Sequence, residues 1–211
     1  MQPSRPTLQS ERLLLRPVAA SDTDAMQSYR GREDVVRYLT HKPLSPAGMR
    51  ARNARSIELW GAYPAELFNL NFVVELLGPD ADGDAIGDLR VWNLLLDGSG
   101  PASEKPSIFW IGYAFHPDMQ GKGYAREAAA RVIRWLFAEH AASEVRAIAF
   151  APNTPSIALL EKLGFQVFRT LDADPDNNTP AAVHLRIDAS RWAARAAEPA
   201  NTPMRTESEE S

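Results

Sequence analysis

Residues 107–125 read Ser-Ile-Phe-Trp-Ile-Gly-Tyr-Ala-Phe-His-Pro-Asp-Met-Gln-Gly-Lys-Gly-Tyr-Ala, and an amphipathic stretch runs on to Glu139. The apolar run Ile108 to Phe115 reads as a buried strand, His116 to Met119 as a turn, and Gln120 to Ala125 as a glycine-bearing loop that opens a helix. In that helix Ala125, Ala128, Ala129, Val132, Ile133, Leu136 and Phe137 recur at three- and four-residue steps. One face therefore packs, and Arg126, Glu127, Arg131 and Arg134 turn outward. Strand, loop and helix in this order hold the helix N-terminus beside the strand end.

Such a loop suits an anion. The first helical turn has N–H groups without intrahelical partners, and the helix dipole adds partial positive charge there. Gly121 and Gly123 remove side chains that would keep a ligand off those groups, and Lys122 adds a mobile positive charge. Gly-x-Gly at a strand-to-helix junction also serves as a bare tight turn, so the loop alone leaves both uses open. Spacing excludes two other phosphate loops: no Gly-x-x-x-x-Gly-Lys-Ser/Thr occurs, and Gly-x-Gly-x-x-Gly is broken by Arg126.

Gln120-Gly121-Lys122-Gly123-Tyr124-Ala125 resembles the Gln/Arg-x-x-Gly-x-Gly/Ala motif of the GNAT superfamily of N-acetyltransferases, whose loop binds the pyrophosphate of acetyl-CoA. Ile111-Gly112-Tyr113, the early Glu11-Arg12-Leu13-Leu14-Leu15-Arg16-Pro17, and Asn153-x-x-Ser156 followed by Leu160-Glu161-Lys162-Leu163-Gly164-Phe165 are similar to the RimJ/RimL branch, which acetylates protein N-termini. The likeness spans about Leu8 to Leu185 with its motifs in family order.

Working outward, Leu8 to Arg16 reads as a first strand, Ser21 as the cap of a helix holding Asp22 and Asp24, and Ser45-Pro46 as a second helix start leading to Trp60. In the resembled family this helical region flanks the acceptor groove. Tyr38, His41 and Trp60 are thereby candidates for substrate contact, against plain packing or surface roles. Leu67 to Leu77 and Ala85 to Leu95 form a hairpin around an acidic turn with Asp80, Asp82 and Asp84, which lacks the closing glutamate of a calcium loop. Asp97 to Pro106 is a looser connection. Val145 to Phe150 returns as a strand parallel to the central one, Thr154-Pro155 starts a helix ended by Gly164, and Phe165 to Leu171 pairs with Ala181 to Ile187. Asn177-Asn178-Thr179 matches a glycosylation sequon by chance. The fold expected is a mixed α/β sheet, mostly antiparallel, splayed at one parallel pair, with helices on both faces. Ligands in such sheets bind beyond the carboxyl ends of parallel strands, where Phe115 to Gln120 and Ala151 to Asn153 both fall.

Composition bounds the rest. With 211 residues, 45% hydrophobic and 24% charged, the chain is expected to form one domain over residues 1–192 and a disordered polar tail over 193–211. A net charge of -4 argues against a nucleic-acid surface, and no apolar run approaches a membrane span. The absence of cysteine excludes thiolate metal ligands and a cysteine nucleophile and fits a reducing cytoplasm. No metal site is expected.

What the resemblance implies about chemistry is direct transfer of acetyl from acetyl-CoA to an amine, on a protein N-terminus or a small molecule. Its cofactor contacts map to Phe115, Gln120, Gly121, Lys122, Gly123, Tyr124, Ala125, Asn153 and Ser156. The Phe115 N–H matches the position that polarises the thioester carbonyl, and Ser156 the serine proposed as acid toward the thiolate, against a plain helix-terminal serine. Many relatives carry a glutamate where this chain has Trp110. Glu66, Asp88, Glu104 and His116 are left as candidate bases. The alternative is a catalytically silent acetyl-CoA-binding module, and a bare structural use of the loop is a third reading. A homodimer would be ordinary for the family.

Overall fold

The computed structural model describes residues 5–197 apart from 62, 64, 80, 96–100 and 177–178. The sequon asparagines, Asp80 of the acidic turn, the start of the loop at 97–106 and the chain beyond 197 lie outside the described residues.

Eight strands form one sheet in the order β1-β2-β3-β4-β5-β6-β8-β7. The single first strand expected from Leu8 to Arg16 is instead two, β1 (Leu8–Gln9) and β2 (Leu13–Pro17), paired antiparallel. Ser10 makes the break. Its hydroxyl accepts from Leu13 N–H at 3.2 Å and the Ser10 N–H donates to Leu13 O at 2.9 Å, offering the backbone a turn in place of a ladder. Helix α1 (Thr23–Arg30) is entered through a 3-10 turn at Ala20–Asp22. Ser21 lies inside that turn and does not cap; the Asp22 carboxylate accepts from Ala19 N–H at 2.6 Å. A short α2 (Glu33–Val36) precedes α3 (Pro46–Gly61), which starts where Ser45-Pro46 predicts, with Ser45 Oγ accepting from Gly48 N–H at 3.1 Å.

The hairpin of β3 (Asn69–Leu76) and β4 (Gly87–Trp92) continues antiparallel into β5 (Ile108–Phe115). Then α4 (Tyr124–Glu139) crosses to β6 (Glu144–Phe150), which runs parallel to β5. After α5 (Thr154–Lys162) the chain closes with β7 (Gln166–Leu171) and β8 (Ala182–Asp188), β8 lying between β6 and β7. α6 spans Ala189–Ala197, so helix continues past the boundary at 192.

Both faces of the sheet are covered by helices, each through residues the strand alternation assigns to it. Phe72 packs edge-on against Trp135 of α4 at 5.6 Å and against Trp60 at 5.0 Å, both tryptophans being buried. Such pairs add about 0.5–1.5 kcal/mol beyond area burial. The opposite face carries Asp88, which is fully buried. Arg30 of α1 forks onto its two oxygens at 2.7 Å each, and Tyr29 donates to it at 3.1 Å, fastening α1 to β4. No helix among the described residues is long and apolar enough to cross a membrane.

Candidate active site

The parallel ladder is short. β5 and β6 are in register only at Ile108 with Glu144, Phe109 with Val145 and Trp110 with Arg146. Beyond Trp110 they diverge, while β5 stays paired to β4 as far as Phe115 with Gly87. His116 N–H donates to Ile86 O at 2.9 Å, so ladder alternation turns the N–H groups of Phe115 and Tyr113 away from β4, toward the gap. The Phe115 carbonyl points the same way and accepts from Gln120 Nε2 at 3.1 Å. The gap opens into a cleft of about 600 Å³, within the usual range for ligand sites.

The glycine loop forms one wall. Gly121 has φ +74° and Gly123 φ +83°, left-handed angles that L side chains adopt at a cost. Gly123 is also the N-cap of α4 and offers no side-chain acceptor to the first turn, whose N–H groups border the cleft. A Cβ at Gly121 would meet open space, so its requirement is the backbone angle. Gln120, Tyr124 and Ala125 line the cleft as the motif predicts. Lys122 is not among the lining residues, and its Nζ sits 4.0 Å from Met119 Sδ. The cations that do line the cleft are Arg126 and Lys162, neither singled out by sequence.

The loop is anchored from the far end of the chain. Glu127 accepts from Arg12 N–H at 2.8 Å, Arg12 Nε at 2.7 Å and Ser10 Oγ at 2.8 Å. Arg12 Nη1 then donates to Lys122 O at 3.2 Å, and its guanidinium lies 4.7 Å from the centre of the Tyr124 ring. Burial pushes the Glu127 carboxyl up, but the three donors outweigh it and hold the group lowered and ionised. An outward helix position thus carries the clasp that fixes the loop.

The opposite wall comes from α5. Asn153 is its N-cap, with Oδ1 accepting from Ser156 N–H at 3.3 Å. Ser156 Oγ lies 2.9 Å from the hydroxyl of Tyr113, which sequence reading passed over as part of Ile-Gly-Tyr. Burial pushes the Tyr113 phenol up to about 12, against the Ser156 hydrogen bond, so it is protonated at neutral pH. Phe115, Asn153, Ser156 and Tyr113 all border the cleft.

The four candidate bases do not. Asp88 is buried beneath α1; burial raises its pKa, but the Arg30 charge and bonds outweigh this and keep it ionised. Glu104 pairs with Arg146 at 3.1 Å, beside the opposite end of β5. Glu66 is exposed and absent from the cleft wall. His116 caps the turn at Pro117–Met119, its Nδ1 accepting from Asp118 N–H at 3.3 Å. Trp110 is buried, stacked 6.5 Å from Trp92 and edge-on to His184 at 5.8 Å. Among the described residues Asp34 is the one carboxylate lining the cleft, and hydrogen bonds from Arg32 hold its pKa down.

Of the three acceptor-side candidates, Tyr38 lines the cleft, together with Val35 and Leu39 around α2. Trp60 belongs to the core, its Nε1 donating to Asn71 O at 2.9 Å. His41 is held behind the wall. Its Nδ1 is 2.8 Å from Lys42 O and its Nε2 2.9 Å from Arg30 Nη1, which fixes the neutral Nδ1–H tautomer because a carbonyl only accepts and a guanidinium only donates.

Comparison with known proteins agrees with this geometry. Residues 12–166 match the model described as the acetyltransferase (GNAT) domain. The chain is similar to the uncharacterized N-acetyltransferase p20 of Bacillus licheniformis, 26% identical over 160 residues, 76% of this chain and 82% of p20. Among solved structures it is similar to RimJ of Mycobacterium smegmatis in complex with CoA-disulfide, with TM-score 0.69, 21% identity and coverage of 92% and 96%. It is also similar to the aminoglycoside acetyltransferase AAC(6')-Ib in complex with coenzyme A, with TM-score 0.65, 17% identity and coverage of 87% and 99%.

Proposed function

Because the chain belongs to the acetyltransferase (GNAT) domain family, we propose that it carries acetyl from acetyl-CoA directly to a primary amine, favouring the α-amine of a protein or peptide chain end in the manner of the Rim branch. The observation that supports this is convergence. The two-glycine loop, the β5 edge turned from β4 and the Tyr113–Ser156 hydroxyl pair come from separate stretches and border one cleft.

The cleft fits coenzyme A on its own features: two left-handed glycines, an uncapped helix N-terminus, flanking Arg126 and Lys162, and a gap between strands for a narrow arm. Acetyl-CoA would supply an activated acyl group. The loop N–H groups from Gly121 to Ala125 would hold its pyrophosphate, with Gln120 keeping the loop entry bonded to Phe115. Asn153 would use its amide Nδ2 toward the pantetheine arm, since Oδ1 is engaged in capping. Phe115 N–H would donate to the thioester carbonyl oxygen as negative charge grows there. The amine nitrogen bonds to the carbonyl carbon, the carbon–sulfur bond breaks, and the Tyr113–Ser156 pair supplies a proton to the departing sulfur. The proton lost from the amine passes to water, and the pair regains a proton from water, so that amide and thiol form with no net proton change.

Among the described residues the one cleft carboxylate is Asp34, and its pairing with Arg32 bears on the acceptor class. Asp34 is held too acidic to take a proton well, so the amine should arrive neutral. An α-amine near pKa ~8 is neutral roughly 250 times more often at pH 7 than a lysine near ~10.4. The same observation favours a second reading, a binding module without turnover, with Trp110, which is buried, at the position where the family resemblance implies glutamate in many relatives. Thiol release with matched peptides tests both. Release with a free N-terminus, and little with an acetylated N-terminus and one lysine, is the expected result; acetyl-CoA binding without release for any amine would favour the module.

A further inference from the structure

A second polar cavity lies away from the cleft, against the sheet face that carries Asp88. It measures about 80 Å³ and is lined by Arg52, Arg55, Ser56, Asn69, Asn71 and Arg90, with Leu59 at its side. That is room for a small ion of a few heavy atoms. Asn71 is 3% exposed, and neither its amide nitrogen nor its amide oxygen has a hydrogen-bond partner among the described residues. Arg52 Nε is likewise buried and unpartnered. Buried polar groups in native proteins are nearly always bonded, so these atoms are arranged for something.

Charge says what. Arg30 takes both oxygens of Asp88, and Arg52 Nη2 reaches the same carboxylate only at 3.9 Å. Arg90 has no carboxylate partner among the described residues; its Nε donates to Asn69 Oδ1 at 2.7 Å and its guanidinium lies 4.7 Å from the Trp92 ring. Arg55 is engaged outward with Glu58 at 2.8 Å. Of the three partly or fully buried guanidiniums, Arg30 takes the Asp88 carboxylate, Arg52 only approaches it, and Arg90 pairs with an amide and a ring. Burial and the neighbouring arginine charges push Arg52 and Arg90 each down to about 10. A negative partner in the cavity would relieve this, and arginine forks beside an amide donor match the oxygens of a small oxyanion.

We propose that the cavity between α3 and strands β3 and β4 binds one small oxyanion, a carboxylate, phosphate or sulfate group, held by Arg52, Arg90 and the side-chain amide of Asn71. The group can come from a free ion or from the acceptor itself. Asn71, Arg90 and Gly112 are register partners and share a sheet face, and Phe115 lies three residues beyond Gly112, roughly 14 Å from Asn71 across two strand spacings. Asp88, buried under Tyr29 and Arg30, stands on that face between Arg90 and the Phe115 end, which favours a free ion as the source; the acceptor source rests on the transferase reading, and the free ion does not.

The test has two arms. In the first, thermal unfolding is followed in phosphate, sulfate and acetate against chloride at matched ionic strength. At tenfold the dissociation constant the expected rise is roughly 3–5 °C. It should persist in Gly123→Glu, which blocks the glycine loop, and vanish in Arg90→Met and in Asn71→Ala; the latter leaves every charge in place should the former fold poorly. In the second arm, amine acceptors with and without a carboxylate or phosphate are compared as substrates. A KM raised at least tenfold by Asn71→Ala for the anionic member alone assigns the site to the acceptor. An anion-dependent rise in the first arm without that effect assigns it to a free ion. If neither arm responds to Asn71→Ala, the proposal is overturned, whether or not the chain turns over.

Discussion

Tyr113 of β5 and Ser156 of α5 meet hydroxyl to hydroxyl at 2.9 Å across the gap between β5 and β6. Burial keeps the phenol protonated through neutral pH, so the pair has a proton to give beside the diverging strand. Tyr113→Phe and Ser156→Ala should each lower kcat by about 10²-fold with little change in KM for acetyl-CoA, general-acid contributions being about 10²–10⁴. The double variant should be no worse than the more damaged single one, since both act on one proton. Steady-state kinetics decides; an unchanged kcat in both variants would reduce the pair to packing.

Arg12 and Glu127 clamp the glycine loop without facing the cleft. Glu127→Gln keeps the shape and removes the charge, so it should raise KM for acetyl-CoA several-fold while kcat moves less. The Arg12 side chain is 45% exposed, so the stability cost should stay within about 1 kcal/mol. Calorimetric binding and thermal unfolding of the same variant separate the two effects. A large fall in stability with unchanged binding would contradict a positioning role.

Among the described residues Asp88 is the sole carboxylate paired with Arg30 and Arg52. Asp88→Asn leaves those charges buried and uncompensated and should cost about 3–5 kcal/mol, the usual result of halving a buried pair. Because the folded-state pKa of Asp88 is lowered, its contribution is present above the unfolded value and is lost as pH falls through the folded one. Denaturant unfolding measures the first effect, and its pH profile below 4 the second.

Three histidines set an acid limit at milder pH. Burial lowers the pKa of His41, His140 and His184, so each binds a proton less readily folded than unfolded. Stability should be full above about 6.5 and decline as pH falls toward the lowered values. His140 is the sharpest case, with Trp135 at 4.3 Å, Phe68 at 5.1 Å and Phe109 at 6.1 Å around it. His140→Gln should flatten the loss of melting temperature between pH 7 and 5. An identical slope in the variant would rule out His140 as a contributor.

Local pattern carried much of this fold. The run from Ile108 to Glu139, the hairpin before it and the parallel return at Val145 are each written in short-range periodicity and turn residues, and the structure follows them within two residues, except that β4 ends at Trp92, three short of Leu95. What sequence missed depends on distant partners. Leu8 to Arg16 alternates well enough for one strand, and only the Ser10 bonds to Leu13 divide it. Glu127 sits on an outward helix position and gains its role from Arg12, far away in sequence. Tyr113 becomes a candidate only once α5 brings Ser156 to it. Asp88 and Trp60 failed as site candidates for the opposite reason: charge and ring chemistry drew attention, while the buried contacts that use them up are invisible in one dimension.

The most direct test is thiol release from acetyl-CoA with a free-N-terminal peptide, measured for the native chain, Gly123→Glu and Asn153→Ala. Gly123→Glu puts a charged side chain at φ +83° in the pyrophosphate loop, and Asn153→Ala removes the α5 cap beside the cleft, at about 0.5–2 kcal/mol of stability. The account predicts amine-dependent release by the native chain, near-complete loss in Gly123→Glu through lost acetyl-CoA binding, and a marked fall in Asn153→Ala while it remains folded. Release that survives Gly123→Glu undiminished would contradict it, because the cleft described here would then not be where acetyl-CoA binds.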